Sequence, residues 1–242
     1  MTHADFIQRT SLLYGPEGMQ RLEQAHVLIV GVGGVGAYAA EMLCRAGVGS
    51  LTLLDADTVA PTNLNRQLCA LRSTLGRPKT EVLAERFADI NPQLRLTLHT
   101  RFLTPDDAAP LLDEAPFDFV VDAIDTLAPK TALLEACLKQ GVRVVSSMGA
   151  GAKTDLSLIR QADLWQTFHC GLAKAVRHAL ARRGLRGRKL PVVFCAQQAD
   201  RRAITAAEGE AGKRSTTGTV SYMPAAFGCH LAAYVINRLQ AG

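Results

Sequence analysis

The chain has no long apolar run, no C-x-x-C cysteine pair and no apolar core in its first 15 residues. A membrane-spanning helix needs about 18 or more apolar residues, and a secretory signal peptide needs an apolar core. We therefore expect a cytoplasmic protein without a membrane span. The six cysteines lack the spacing of a zinc clamp, and a cytoplasmic chain keeps its thiols reduced. We expect free, mostly buried thiols.

Acidic residues are also absent from residues 174–189, a stretch that is rich in basic ones. The basic residues are Lys174, Arg177, Arg182, Arg183, Arg186, Arg188 and Lys189. Such a cluster is typical of a surface that binds a polyanion such as nucleic acid, but many charged runs are simply a solvated helix face followed by a loop. The sequence alone leaves both interpretations open.

The motif that organises the chain is a buried strand joined to a helix by glycines. Residues 27–30 are four branched apolar residues, which predict a strand buried on both faces, and residues 37–43 predict a helix. The glycines between them are Gly31, Gly33, Gly34 and Gly36. Glycines allow a tight turn and a close approach of the backbone to a ligand, and a helix N-terminus favours an anion. The motif predicts a phosphate-binding turn.

Polar side chains follow the next predicted strand, residues 51–54. Asp55 and Asp57 come about 20 residues after the glycines, where a carboxylate can accept hydrogen bonds from a ribose. Asn63, Arg66 and Lys79 follow, and we expect them on the ligand-binding side of the sheet. Basic side chains there can offset charge that develops on a phosphoryl group. As isolated residues they could equally be surface charges.

A third strand, residues 117–121, is followed by Asp122 and Asp125. Carboxylates at the end of a central strand suit a magnesium ion that bridges nucleotide phosphates. For both residues the alternative is a structural role, either helix capping or a hydrogen bond. We favour Asp125 as the magnesium ligand.

The 242 residues, 48% hydrophobic and 20% charged, fit a globular α/β protein. With the glycine turn and the alternating strands and helices, we expect a Rossmann-like, doubly wound, mainly parallel sheet with helices on both faces and a mixed C-terminal extension. We expect residues 1–150 to form a helical arm and a nucleotide-binding domain. Residues 151–242 would extend the same compact unit, with a strand at 156–159, a basic helix at 172–183 and a mobile loop near 199–216. A break at residues 14–16 divides the arm into two helices, the first of which carries Arg9.

Together these motifs resemble the ThiF/MoeB family of adenylating enzymes, which is related to ubiquitin activators. The resemblance rests on an ordered set: Arg9 before Leu12-Leu13-Tyr14-Gly15, the glycines at 31–36, Asp55-x-Asp57, Thr62-Asn63-x-Asn65-Arg66-Gln67, Arg77-Pro78-Lys79 and Ala123-x-Asp125. It implies an enzyme that binds ATP and Mg²⁺ and transfers AMP to a carboxylate.

The resemblance also implies roles for individual residues. Asp57 would hold the ribose, and Asn63, Arg66 and Lys79 would contact the phosphates. Asp125 would hold magnesium, and Arg9 would enter the site of a partner subunit in a homodimer. A sulfur-relay partner of the cysteine desulfurase class is left open.

Within the family, the chain resembles the branch that dehydrates N6-threonylcarbamoyladenosine at position 37 of tRNA to its cyclic form. The segments that carry this resemblance are the Arg-x-x-Leu-Leu-Tyr-Gly opening, residues 149–155 and residues 221–224. The chain departs from the branch at Leu156, where a proline is expected, and at Cys170-Gly171, where an Asp-Pro pair is expected. The departures concern the RNA-binding half of the chain.

Other functions remain open at this point. The second candidate is adenylation of the C-terminus of a small ubiquitin-like sulfur-carrier protein, although adenylators of that kind typically carry two C-x-x-C pairs. The third is a nicotinamide-binding oxidoreductase or sensor, which the Asn63, Arg66 and Lys79 cluster argues against. A catalytic cysteine would be Cys195 or Cys229, but we expect both thiols to be buried and therefore poor nucleophiles.

Overall fold

The strands assemble into one large sheet and one separate hairpin. The structure is a computed structural model and describes residues 3–206 and 215–241. The strands within these ranges are β1 (His26–Val30), β2 (Ser50–Leu54), β3 (Arg95–His99), β4 (Phe119–Asp122), β5 (Val144–Ser147), β6 (Ile159–Asp163), β7 (Pro191–Cys195), β8 (Ile204–Ala206) and β9 (Ser215–Thr217). β8 and β9 form the hairpin, and the other strands form the sheet.

Helices cover both faces of the sheet. They are α1 (His3–Gln24), α2 (Gly36–Ala46), α3 (Lys79–Ile90), α4 (Ala108–Asp113), α5 (Leu127–Gln140), α6 (Gly171–Arg182) and α7 (Tyr222–Gln240). The core on one face gathers residues of α1, α2, α3 and α7, and the core on the other gathers residues of α4, α5 and α6. In the central strand β1, Val27 and Ile29 belong to the first core, and Leu28 and Val30 belong to the second. A strand that is buried on both faces explains its continuous run of branched residues.

The strand order defines where a ligand can bind. The sheet runs β3-β2-β1-β4-β5-β7-β6, and every neighbouring pair is parallel except β6 with β7. The chain winds outward from β1 in one direction and from β4 in the other, so the switch point lies between them. Ligands of doubly wound folds bind beyond the carboxyl ends of the strands at such a point. The predicted fold class is confirmed.

Two local predictions differ from the structure. The strand expected at 156–159 is wrong: residues Leu156–Leu158 form a 3₁₀ turn, in which the Asp155 side chain accepts a bond from the amide of Ser157, and β6 begins only at Ile159. β6 is an edge strand in which Arg160 and Gln161 are exposed, so it lacks the apolar run of a central strand. The loop expected near 199–216 includes the hairpin strands β8 and β9, and its residues 207–214 lie outside the described residues.

The N-terminal arm agrees with the prediction more closely. The two expected helices are joined in α1 by a kink at Gly15, whose φ is 67°, immediately before Pro16.

Among the described residues, no helix combines the length and apolar character that a membrane crossing needs.

The last helix, α7, packs closely against α2, the helix that follows the glycine turn. A Cβ on Gly228 of α7 would lie 2.5 Å from the carbonyl oxygen of Val35 and 2.7 Å from Cβ of Tyr38. Only a residue without a side chain allows the two helices to pack at this separation. This contact places the start of α7 above the glycine turn, where Pro224 approaches Gly34.

Gly228→Ala is expected to destabilise the protein, although alanine is normally the better helix former. The added methyl group collides with the backbone of α2, and such overpacking costs about 1–3 kcal/mol, a loss of several degrees in Tm. Thermal unfolding followed by circular dichroism measures the change. Gly171→Ala is the control, because a Cβ there meets nothing within 4 Å. A Tm for Gly228→Ala equal to that of the control would contradict the packing argument.

Candidate functional site

The glycine turn is closed on one side and open on the other. A Cβ on Gly36 would lie 1.8 Å from the carbonyl oxygen of Gly31. The φ of Gly31 is 86°, and a Cβ there would lie 2.9 Å from the carbonyl oxygen of Ala123. By contrast, the nearest atom to a Cβ on Gly33 is Nε2 of Gln67, at 3.7 Å. No side chain caps the N-terminus of α2. The turn thus leaves space for an anion at Gly33, next to the first amides of α2.

Asp55 holds this turn to the end of β2. Its Oδ2 accepts a hydrogen bond from the amide of Val32 at 2.7 Å, and its Oδ1 accepts one from the amide of Asp57 at 2.8 Å. Burial raises the pKa of the Asp55 carboxyl, while the Lys79 charge and the two amide bonds act in the opposite direction. Asp55 therefore positions the loop, and Asp57 is the carboxylate that faces solvent.

Asp57 is paired with Lys79 across the start of α3. The Nζ of Lys79 lies 2.7 Å from Oδ2 of Asp57, and the Lys79 side chain is 4% exposed whereas that of Asp57 is 57% exposed. The ion pair fixes the lysine at the site, and the exposed edge of the carboxylate stays accessible to a ligand hydroxyl. The sequence predicted both residues but not their pairing.

Asn63 and Arg66 lie on the loop that follows β2. The Asn63 side-chain oxygen accepts a bond from the amide of Ala60 at 3.0 Å and so closes a 3₁₀ turn. Arg66 donates to the carbonyl of Thr62 at 2.9 Å and to Oδ1 of Asn65 at 2.8 Å. Its Cγ lies 3.6 Å from the position of a Cβ on Gly34. Arg66 is half-buried and lies beside the glycine turn.

A buried ion pair positions the loop after β4. Asp122 and Lys130 are both fully buried, and Nζ of Lys130 lies 2.7 Å from Oδ2 of Asp122. Lys130 also donates to the carbonyl of Ile124 at 2.9 Å, and Asp122 accepts from the amide of Ile124 at 3.1 Å and from the hydroxyl of Ser146 at 2.6 Å. The backbone N–H and C=O groups of Ile124, one residue before Asp125, are therefore both hydrogen-bonded.

Asp125 itself is exposed and accepts a hydrogen bond from the hydroxyl of Thr126 at 3.3 Å. Sequence reasoning gave Asp122 a structural alternative, which the structure supports, but it missed Lys130. Lys130 could have been predicted from the sequence, because Asp122 ends a buried strand and a buried carboxylate needs a nearby cation.

The residues fit a nucleotide with its magnesium ion. Within residues 3–206 and 215–241, no group of three His, Cys, Asp or Glu side chains forms a metal site made of protein ligands alone. Magnesium at nucleotide sites is held by one or two carboxylates together with phosphate oxygens, so one exposed carboxylate, Asp125, would be enough to hold it there. The open space at Gly33 fits a phosphate, and beside it the buried Oε1 of Gln67 has no hydrogen-bond partner. A ligand hydroxyl or a water molecule would satisfy that oxygen.

Comparison with known proteins gives the family. A model of the ThiF family matches residues 7–241. The chain belongs to the ThiF family. It is 43% identical over 171 residues to the tRNA threonylcarbamoyladenosine dehydratase of Escherichia coli K12, which covers 71% of this chain and 63% of the relative. It is 41% identical over 186 residues to the protein of the same name from Bacillus subtilis 168, which covers 77% of this chain and 72% of that one. The alignment thus spans less than two thirds of the E. coli relative.

A solved structure is similar over a greater length. The crystal structure of the E. coli tRNA N6-threonylcarbamoyladenosine dehydratase, TcdA, in complex with ATP aligns with a TM-score of 0.89 and 33% identity, covering 98% of this chain and 95% of that one. The same protein has also been solved in complex with AMP. The Rossmann-like fold of this ThiF-family chain is therefore that of an ATP-binding protein.

Arg9 is the one predicted site residue that the ThiF-family chain does not bring to its own glycine turn. Two residues earlier, Ile7 packs 3.5 Å from the position of a Cβ on Gly47, which follows the C-terminus of α2. The glycine turn lies at the other end of α2, about 16 Å away for a helix of this length. Arg9 itself is exposed.

The cysteines of this ThiF-family chain are free, and five of the six are buried. Cys195 is buried as expected, but Cys229 is exposed, so the expectation of a buried thiol is wrong for Cys229. α7 presents one face to the core and the other to solvent, and Cys229 lies on the solvent side, next to the buried Gly228.

The basic segment is only partly available to a ligand. Arg183 pairs with Glu135 at 2.8 Å, Arg188 donates to the carbonyl of Leu138 at 2.8 Å, and Arg177 donates to the carbonyl of Thr167 at 2.9 Å. These three arginines secure α6 and the turn after it. The remaining members are exposed: Lys174, Arg182, Arg186 and Lys189.

Lys130→Met is expected to destabilise the protein by about 3–5 kcal/mol, because it leaves the Asp122 carboxylate buried without its cation. The double variant Asp122→Asn/Lys130→Met removes that charge as well and should recover a large part of the loss. Urea unfolding of the single and double variants measures the difference. Equal stabilities for the two variants would show that charge pairing does not hold the loop before Asp125.

Proposed function

We propose that this chain is an ATP-dependent tRNA threonylcarbamoyladenosine dehydratase. The match to ATP-bound TcdA over nearly the whole of both chains supports this proposal most strongly. The site supports it independently, because an open glycine turn, a half-buried arginine and an exposed carboxylate lie at the switch point of the sheet. The exposed cations of the basic segment supply a surface for the RNA backbone.

The proposed reaction has two steps. The side-chain carboxylate of the modified adenosine attacks the α-phosphorus of ATP, a P–O bond forms, and pyrophosphate leaves. The neighbouring carbamoyl nitrogen then attacks the activated acyl carbon, loses its proton, and expels AMP. The nucleoside loses one water overall, and ATP is converted to AMP and pyrophosphate. No protein nucleophile is required.

The residues of the site act by positioning and by charge. The amides at the start of α2 would bind phosphate oxygens beside Gly33, and Arg66 would offset the charge that develops during nucleotidyl transfer. Asp57, held by Lys79, would accept hydrogen bonds from the ribose, and Asn63 would contribute its amide group to the phosphate side. Magnesium held at Asp125 would neutralise phosphate oxygens and favour departure of pyrophosphate.

A second copy of the chain completes the proposed site. Arg9 lies at the far end of α2 from its own glycine turn, so it can serve the reaction only in the site of a partner. Leu12 and Leu13 on the same helix are 81% and 74% exposed, which gives this arm an apolar surface to bury against that partner. The proposed active form is therefore a homodimer.

The direct test is incubation of the protein with ATP, Mg²⁺ and bulk tRNA that carries threonylcarbamoyladenosine, followed by digestion and mass spectrometry. We expect a nucleoside lighter by one water, together with one AMP for each molecule converted. Omission of ATP is the control. If the protein binds ATP but leaves the nucleoside unchanged, and instead adenylates a small protein that ends in Gly-Gly, the second candidate function replaces this one.

The homodimer is tested by mixing two inactive variants. Arg9→Ala and Asp125→Ala should each abolish most of the dehydration, because every site then lacks one of the two groups. A dimer that contains one chain of each kind has one site in which both groups are intact. After unfolding and refolding of an equal mixture, about a quarter of the wild-type activity should return. Failure to complement, or an active Arg9→Ala variant, would remove Arg9 from the partner's site.

A further inference from the structure

An aromatic side chain is exposed next to the basic helix. Phe168 is 44% exposed. Its ring meets the ring of Phe194 edge to face, with centroids 5.4 Å apart, and that of His169 at 5.1 Å. Phe194 belongs to β7 and is buried. One side of the Phe168 ring is therefore anchored on the core and another is open to solvent.

The backbone beneath this ring is tightly held. His169 has a φ of 52°, a conformation that a residue other than glycine rarely adopts. The buried Lys153 donates a hydrogen bond to the carbonyl of His169 at 3.2 Å. The ring nitrogen Nδ1 of His169 lies 3.0 Å from the carbonyl oxygen of Ala196. Because the segment is already ordered, contact with a ligand would require little further loss of conformational freedom.

The position of the ring relates it to the candidate site. Phe194 is the penultimate residue of β7, so the ring lies at the carboxyl edge of the sheet, where the nucleotide residues also lie. Cys170, two residues after Phe168, has its Sγ 3.5 Å from the position of a Cβ on Gly149. Gly149 follows β5, the strand adjacent to the one that ends before Asp125. The ring therefore stands beside the loops in which the acceptor of the adenylyl group would bind.

The exposed ring lies shortly before the basic helix α6, which begins at Gly171. Arg177 donates to both the carbonyl and the hydroxyl of Thr167, the residue before Phe168. Lys174 is exposed on the first turns of α6, and Arg182 continues the exposed series. An open aromatic ring next to a basic helix is a combination with which proteins hold unpaired RNA: cations contact phosphates, and aromatic rings stack on bases. An apolar protein partner would need a larger patch without these charges.

We propose that Phe168, supported by His169, is a stacking platform for one unpaired base of the RNA, next to the nucleoside that reacts. This proposal rests on the proposed function and extends it, because it assigns recognition of the RNA loop to a residue outside the nucleotide site. It also gives a role to the segment around Cys170-Gly171, where the sequence departs from the pattern expected for the branch.

The first test separates RNA binding from chemistry. Phe168→Ala should raise the KM for a modified RNA stem-loop about 5- to 100-fold, as expected when one stacked base loses its aromatic partner, and leave the KM for ATP unchanged. Phe168→Trp should retain the wild-type value. Phe102→Ala is the matched control, because Phe102 is a phenylalanine 75% exposed beyond β3 and should not affect the KM for RNA.

The second test identifies the base. Stem-loops are made with an abasic nucleotide at each unpaired position in turn, and the KM is measured with the wild type and with Phe168→Ala. At one position, the abasic nucleotide should weaken binding to the wild type but have no effect on the variant, because the stacking partner is already missing. If no position shows this difference between the wild type and Phe168→Ala, the platform is overturned.

Three further results would also overturn the platform: an unchanged RNA KM for Phe168→Ala, an equal change for Phe102→Ala, and a change in oligomeric state for Phe168→Ala in sedimentation. The last would mean that another copy of the chain covers the ring. The proposed function is judged separately by turnover of the wild type. If the wild type does not dehydrate the nucleoside, the proposed function fails, and the platform fails with it.

Discussion

The turn between β1 and α2 has no space for a side chain at Gly36, where a Cβ would lie 1.8 Å from the carbonyl oxygen of Gly31. This contact brings the helix onto the end of the central strand, and other elements are arranged around it. The loop after β4 packs against Gly31, and α7 packs on α2 through Gly228. Residues from the beginning, middle and end of the chain therefore meet at one point because the backbone there is unobstructed.

The acidic residues at the carboxyl edge divide into two kinds. Asp55 and Asp122 have their oxygens occupied by backbone amides, a hydroxyl or a lysine, and they hold loops in place. Asp57 and Asp125 lie beyond them, with side chains at the surface. The buried carboxylates give the exposed ones a rigid support, which suits a reaction accelerated by positioning and charge rather than by a protein nucleophile.

Much of the fold could be predicted because buried strands and their turns leave a local signature. The apolar runs of β1, β2 and β4 and the glycine turn were predicted from consecutive residues. The prediction failed for β6, since an edge strand with exposed side chains has no apolar run, and a 3₁₀ turn occupies the more apolar residues before it. Cys229 was misjudged for a related reason: an apolar helix sequence does not tell which of its faces a given residue occupies.

The sequence by itself determined the family resemblance, the phosphate-binding turn and the kinds of side chain at the site, because each of these is carried by short motifs whose order along the chain can be read directly. Only the tertiary structure decided which charges are paired: Lys79 with Asp57, and Lys130 with Asp122. Only the tertiary structure placed the helix of Arg9 at the far end of α2 and left Phe168 exposed at the carboxyl edge of the sheet. Pairing and exposure depend on contacts between distant parts of the chain, and no local pattern encodes those contacts.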